Sequence, residues 1–167
     1  IVPVGAESYG EAIKITAECF MSLKKILHDR GLPTTVGDEG GFAPPVSSNT
    51  ETLELLMEAC QKAGHEPGSA VAFALDVAAT EFFNNDKYLL ATEDRELAGG
   101  EMIDYLVEIA ERYPIVSIED GLAEDAWEDW ETLTTKLSSK QLVGDDLLVT
   151  NPQRLSKAIE DKAGNAI

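Results

Sequence analysis

Basic side chains are scarce in this chain: 13 Lys and Arg stand against 31 Asp and Glu, for a formal net charge of −18. That balance argues against nucleic acid as a direct partner, since phosphates are repelled by it, and disfavours an anionic membrane surface for the same reason. Histidine is scarcer still, with two. His28 and His65 both fall near helix C-termini rather than strand ends, so no Ser/His/Asp or Cys/His set can be assembled, and both are expected to be structural or surface residues. The two cysteines, Cys19 and Cys60, sit on apolar helix faces. They fit buried reduced thiols, and nothing in their placement suggests a disulfide framework or a zinc site. There is no signal-peptide pattern and no apolar run of membrane-spanning length, so the cytoplasm is the expected compartment. No glycine fingerprint for a dinucleotide or a P-loop phosphate follows any strand.

What the chain does have is alternation. Its 167 residues, 44% of them hydrophobic, suffice for a sizeable core. A short extended run, Ile1 to Val4, precedes a helix over roughly 8–30, on which Ile13, Ala17, Phe20, Leu23 and Leu27 share one face and Gly31 gives a stop. Thr34-Thr35-Val36 reads as extended. The next helix, capped near Asn49 or Thr50, carries Leu53, Leu56, Met57 and Cys60 at helical spacing and ends at Gly64. After the run to Asp76, the segments 81–83 and 87–90 flank Asn84-Asn85-Asp86 as a hairpin excursion. Three further helices bury Ile103, Leu106, Val107 and Ala110; then Ala126, Trp130, Leu133 and Leu137; then Leu155, Ala158 and Ile159. The last begins at Asn151 with Pro152 in its first turn.

About five strands thus alternate with about five helices, a β/α pattern with mostly parallel, buried strands. Three of those strands end in an acid: 72–76 in Asp76, 115–119 in Glu119 and 141–145 in Asp145. Carboxylates at the carboxyl ends of successive parallel strands can converge on one point, and converging oxygens suit a hard cation such as Mg²⁺. Asp120 and Asp146 double the charge at two of these ends, a crowding that repels unless a cation or a basic residue sits among them. An open doubly wound sheet fits the length. The acid placement favours a (β/α)₈ barrel, which typically needs ~250 residues. The chain also lacks an initiator Met, starts inside an apolar run, and stops at Asn165-Ala166-Ile167 where a new strand would begin. The expectation is an α/β fold, an incomplete (β/α)₈ TIM-type barrel of about five units occupying 1–167.

Between the first two helices lies Gly37-Asp38-Glu39-Gly40-Gly41, two acids among three glycines, where backbone can approach a ligand closely. With its flanks, Val36 to Pro44, this string resembles the diagnostic loop of the enolase (phosphopyruvate hydratase) family. Leu75-Asp76-Val77-Ala78-Ala79-Thr80-Glu81-Phe82 resembles that family's first metal-ligand strand. Tyr113 to Leu122 resembles the second, and Val143 to Pro152 the third. The strings occur in family order across essentially the whole chain, and Gly121-Leu122 has the look of the bacterial variant.

The resemblance implies reversible dehydration of 2-phosphoglycerate to phosphoenolpyruvate with two Mg²⁺ per site in the complete enzyme. It assigns Asp76, Glu119 and Asp145 to the tighter Mg²⁺, with Glu119 and Asp145 also next to the substrate, and Glu39 to the acid side, where the C3 hydroxyl leaves as water. It also implies a homodimer or larger assembly. The family's proton-abstracting lysine, a further acid-side glutamate, the amino-terminal capping domain and the last barrel units would lie outside these residues. The 167 residues alone are therefore expected to be inactive. Two other readings compete: another Mg²⁺-dependent dehydratase or cycloisomerase of the wider superfamily, against which the Gly37–Gly41 loop speaks, and a non-catalytic structural or interaction fragment.

Overall fold

The computed structural model describes residues 1–167, which separate into two compact units, Ile1–Ala72 and Phe73–Ile167. The first unit is built on two helices packed together, α1 (Tyr9–Asp29) and α2 (Asn49–Lys62). Each starts on a serine whose hydroxyl takes an otherwise orphaned N–H: Ser8 accepts from Glu11 at 3.2 Å and Ser48 from Glu51 at 3.1 Å. Ser48, not Asn49 or Thr50, is thus the cap of α2. Glu51 reaches back to the Ser47 N–H and hydroxyl, both at 2.7 Å, which fixes the start one residue early. Gly31 and Gly64, at φ +70° and +86°, end the two helices as the sequence requires.

Two expectations for this unit need correction. The buried stripe of α1 is Ile15, Cys19, Ile26 and Leu27, while Ile13 is 53% exposed and Ala17 is exposed too. The helix carries apolar residues on two adjacent stripes, and only one of them meets α2. The expected strands 1–4 and 34–36 shrink to single bridges, Val2 antiparallel to Ala72 and Val36 antiparallel to Phe42. Pro3 lacks the N–H a ladder needs, and Gly37 turns the chain at once. Ile26, Leu27, Leu55 and Ala59 form a core joined by Leu23, Leu32, Phe42 and Val46, and Phe42 stacks on Phe20 with ring centroids 4.5 Å apart.

The second unit holds a parallel sheet in the order β1 (Phe73–Asp76), β5 (Ile115–Glu119), β6 (Gln141–Val143). Between β1 and β5 the chain makes an antiparallel excursion, β2 (Phe83–Asn84), β3 (Lys87–Leu90) and β4 (Arg95–Leu97), and then α3 (Gly99–Arg112). The β2–β3 turn places Asn85 and Asp86 at φ +50° and +60°, the backbone that a tight hairpin demands. The third strand of this excursion, polar at Arg95 and Glu96, carries no alternation that would announce it.

The second crossover is α4 (Trp127–Lys136), and α5 (Pro152–Asp161) follows β6. Asn151 caps α5 by accepting the N–H of Gln153 at 2.9 Å. The interior is continuous and apolar: Phe73, Ile115, Ile118, Leu122, Trp130, Leu133 and Leu142 are essentially inaccessible. Such residues would each cost roughly 2–5 kcal/mol to truncate to alanine. Of the inner face expected for α5 only Ala158 is buried, and Ile159 is 71% exposed. Beyond α5, Ala166 bridges Val143 in parallel, so the chain's last residues run alongside β6. No helix is long and apolar enough to cross a membrane.

Candidate metal centre

Strand register brings the site together. Asp76 and Glu119 are Cα partners at the ends of β1 and β5, and Glu119 is in turn level with Val143 at the end of β6. Parallel strands that end level project their last side chains from one edge of the sheet. The oxygens of Asp76, Glu119 and Asp120 lie within 4.8 Å of one another. Asp145 follows two residues after Val143, exposed, and its charge, like those of Asp76, Asp120 and Asp146, bears on Glu119.

Burial, then the repulsion of Asp76, Asp120, Asp145 and Asp146 in that order, pushes the Glu119 carboxyl above the usual range. Every neighbouring charge that bears on Glu119 is negative. An all-carboxylate oxygen set with no intrinsic counter-charge fits a hard divalent cation, whose binding would remove the repulsion. Of the three acids expected to ligate, Asp76 and Glu119 thus fall in the tight cluster. The third member of that cluster is Asp120, with Asp145 on the adjoining loop.

Asp120 is 3% exposed, and its carboxylate faces main chain, accepting the N–H groups of Asp145 at 3.1 Å and Asp146 at 2.9 Å. Burial raises its carboxyl while those N–H bonds pull the other way. Its φ is +42°, a left-handed backbone that Asp tolerates better than most residues. Gly121 follows because a Cβ there would lie 3.1 Å from both Ile118 Cγ2 and Leu106 Cδ1. In the sequence Asp120 passes for a duplicate charge; the Asp-Gly pair closing a buried strand is the signal that could have singled it out.

The loop after β5 is braced from three sides. Ala123 donates its N–H to the Tyr88 hydroxyl at 2.9 Å, and Glu124 donates to Thr80 Oγ1 at 3.1 Å. Trp130 Nε1 donates to the Ala123 carbonyl at 3.2 Å. From α5, Arg154 donates to the carbonyls of Glu124 and Leu147 and to Asp125, at 2.9 Å for the last, with its guanidinium over the Trp127 ring. Tyr88, on the hairpin excursion, is fully buried. The excursion therefore serves as a prop for the loop that follows Glu119 and Asp120.

Glu39 belongs to the first unit. There Gly37 and Gly41 close the loop through a 2.9 Å N–H to carbonyl bond, Gly40 turns at φ +83°, and Glu39 stands exposed at the tip. His28 is exposed, and His65 pairs with Glu18 at 2.8 Å.

Acids ending level on parallel strands joined by helical crossovers define an α/β protein with a carboxylate site able to hold a metal ion. Comparison with known proteins is more specific. The family described as enolase, C-terminal TIM barrel domain, matches residues 1–167. An enolase from Rubrobacter xylanophilus is 54% identical over 168 aligned positions that take in all of this chain and 39% of the relative. The chain belongs to the enolase family, and its match falls in that family's C-terminal TIM barrel domain. It spans well under half the length of that relative.

Proposed function

We propose that these residues carry the metal-binding side of an enolase active site. The complete protein would interconvert 2-phosphoglycerate and phosphoenolpyruvate with Mg²⁺, as a cytoplasmic homodimer or larger assembly. In this proposal the chain contributes about five units of a (β/α)₈ barrel, and the capping domain and remaining units belong to the rest of the protein. The observation that carries it is the level pairing of Asp76 with Glu119, Asp145 being two residues past Val143 on the adjoining strand.

Asp76, Glu119 and Asp145 would hold the tighter Mg²⁺, with the last two also bordering the substrate. Bound there, Mg²⁺ supplies the positive charge needed to accept an anionic carboxylate substrate on a chain of net charge −18. Glu39, at the tip of a glycine loop, would donate or steer the proton that lets the C3 hydroxyl leave as water. Its exposure at the tip of that turn leaves its carboxyl open to a substrate. None of the three parallel strands ends in a lysine, so no base to abstract the C2 proton stands at their edge. These 167 residues alone should give no turnover.

The test is a substrate panel on a complete protein that contains these residues. Mg²⁺-dependent formation of phosphoenolpyruvate from 2-phosphoglycerate, lost in chelator and in Asp76→Ala, is the expected result. Turnover confined to acid sugars or cycloisomerase substrates would replace this proposal with the wider-superfamily alternative. No turnover of any of them, with no saturable Mg²⁺ binding, would favour a non-catalytic role.

A further inference from the structure

Among the four acids surrounding Glu119, Asp120 alone has its carboxylate committed to the protein. Both oxygens are taken, Oδ1 by the Asp145 N–H at 3.1 Å and Oδ2 by the Asp146 N–H at 2.9 Å. Its main chain reaches the other two strand ends: the Asp120 N–H donates to the Val143 carbonyl at 3.0 Å, and its carbonyl accepts the Ala79 N–H at 3.0 Å. One residue thus ties the exits of β1, β5 and β6 together. The Asp76 and Asp145 carboxylates, by contrast, are exposed and make no hydrogen bond to protein.

That division of labour has a physical reason. A loop of consecutive acids, Asp145-Asp146, beside Glu119 repels the strand end it must face. Without a tether its lowest-energy course is to swing out toward water. Two N–H bonds to a buried carboxylate oppose that swing through the main chain and leave the Asp145 side chain free. Charge-assisted bonds of this kind are about twice as strong as neutral ones.

We propose that Asp120 is a positioning residue and not a metal ligand: its carboxylate holds the loop Gly144–Asp146 so that Asp145 is delivered to the cation held by Asp76 and Glu119. This rests on the metal-site proposal above. Groups that orient ligands from behind typically cost 10- to 100-fold in metal affinity when altered, which sets the expected size at about that range.

The experiment uses the chain as it stands with Mn²⁺ alone as the probe, free ion followed by paramagnetic resonance, and amide hydrogen exchange read on the same samples. Asp120→Asn should weaken Mn²⁺ binding about 10- to 100-fold and speed exchange at the Asp145 and Asp146 amides. Asp76→Asn should weaken binding while leaving those two amides protected. Asparagine accepts the same left-handed backbone, so the first variant keeps the fold, as far-ultraviolet circular dichroism can check. Asp120→Glu, which keeps the charge but shifts the oxygens by a methylene, should behave like Asp120→Asn. Unchanged Mn²⁺ affinity in Asp120→Asn, or loss of binding with both amides still protected, would overturn the proposal. So would wild-type behaviour of Asp120→Glu, because charge and not the tether would then be decisive. If the wild type bound no Mn²⁺, the metal-site proposal would fail on that arm. The exchange arm would still decide the tether, since wild-type amides that exchange freely contradict it.

Discussion

Asp76 and Glu119 are register partners at the carboxyl ends of neighbouring parallel strands. Two acids so placed are adverse for the empty fold and favourable for a cation, and the balance between these effects governs the behaviour expected below.

The first expectation concerns pH. The Glu119 carboxyl is raised in the folded chain, first by burial and then by Asp76, Asp120, Asp145 and Asp146, and that of Asp120 is raised chiefly by burial. A group whose folded pKa lies above its unfolded one favours the fold most when protonated. The contribution is full below the unfolded value, near 4 for these acids, and is lost as pH rises through the raised folded value. Asp29, Glu51 and Glu58, lowered by their partners, act in the opposite sense, so the difference between wild type and Glu119→Gln is the informative quantity. Thermal midpoints without metal should fall further behind the variant as pH rises from about 4 to 7. Saturating Mg²⁺ should cancel or reverse that lag. A difference independent of pH and metal would contradict the crowding.

The second concerns the prop beneath the loop after β5. Tyr88→Phe removes the acceptor of the Ala123 N–H and leaves a donor unsatisfied in a buried place. The expected cost is about 1–3 kcal/mol of stability by denaturant titration. Exchange at the Ala123 and Glu124 amides should rise more than exchange within α3. A uniform rise across the second unit would assign Tyr88 to the core in general and not to that loop.

The third concerns the thiols. Cys19 and Cys60 are fully buried; burial raises both, and Cys60 is pushed up to about 12. The thiolate is the reactive form, so neither residue should react with an aromatic disulfide reagent until the first unit opens. Labelling should be slow in buffer and should accelerate with denaturant in step with unfolding. Fast, stoichiometric labelling of the native chain would contradict it.

Much of the second unit was legible in the sequence because its signals agree with one another. The run Ile115-Val116-Ser117-Ile118 is rich in β-branched residues, is flanked by a helix stop at Pro114 and ends in an acid, and it forms the central strand of the parallel sheet. Asn151-Pro152 opens a helix where capping chemistry says it should. What escaped was set by tertiary context. Ile13 and Ile159 have helical spacing, yet the surface each would cover is not presented to it, and both are exposed. Arg95-Glu96-Leu97 is a strand only because β3 offers it a free edge. At the site, residue type and position in the chain marked Asp76, Glu119 and Asp145. The turning of the Asp120 backbone to φ +42°, which sends its carboxylate into the main chain of the next loop, shows in the sequence only as the Asp-Gly pair that closes the strand.

The central claim is that the strand-end acids form a cation site, and calorimetric titration of the 167-residue chain with Mg²⁺ tests it most directly. The account predicts one saturable site in the wild type, weakened at least about tenfold in Asp76→Asn and in Glu119→Gln. A wild type without saturable binding, or variants that bind as well as it does, would contradict it.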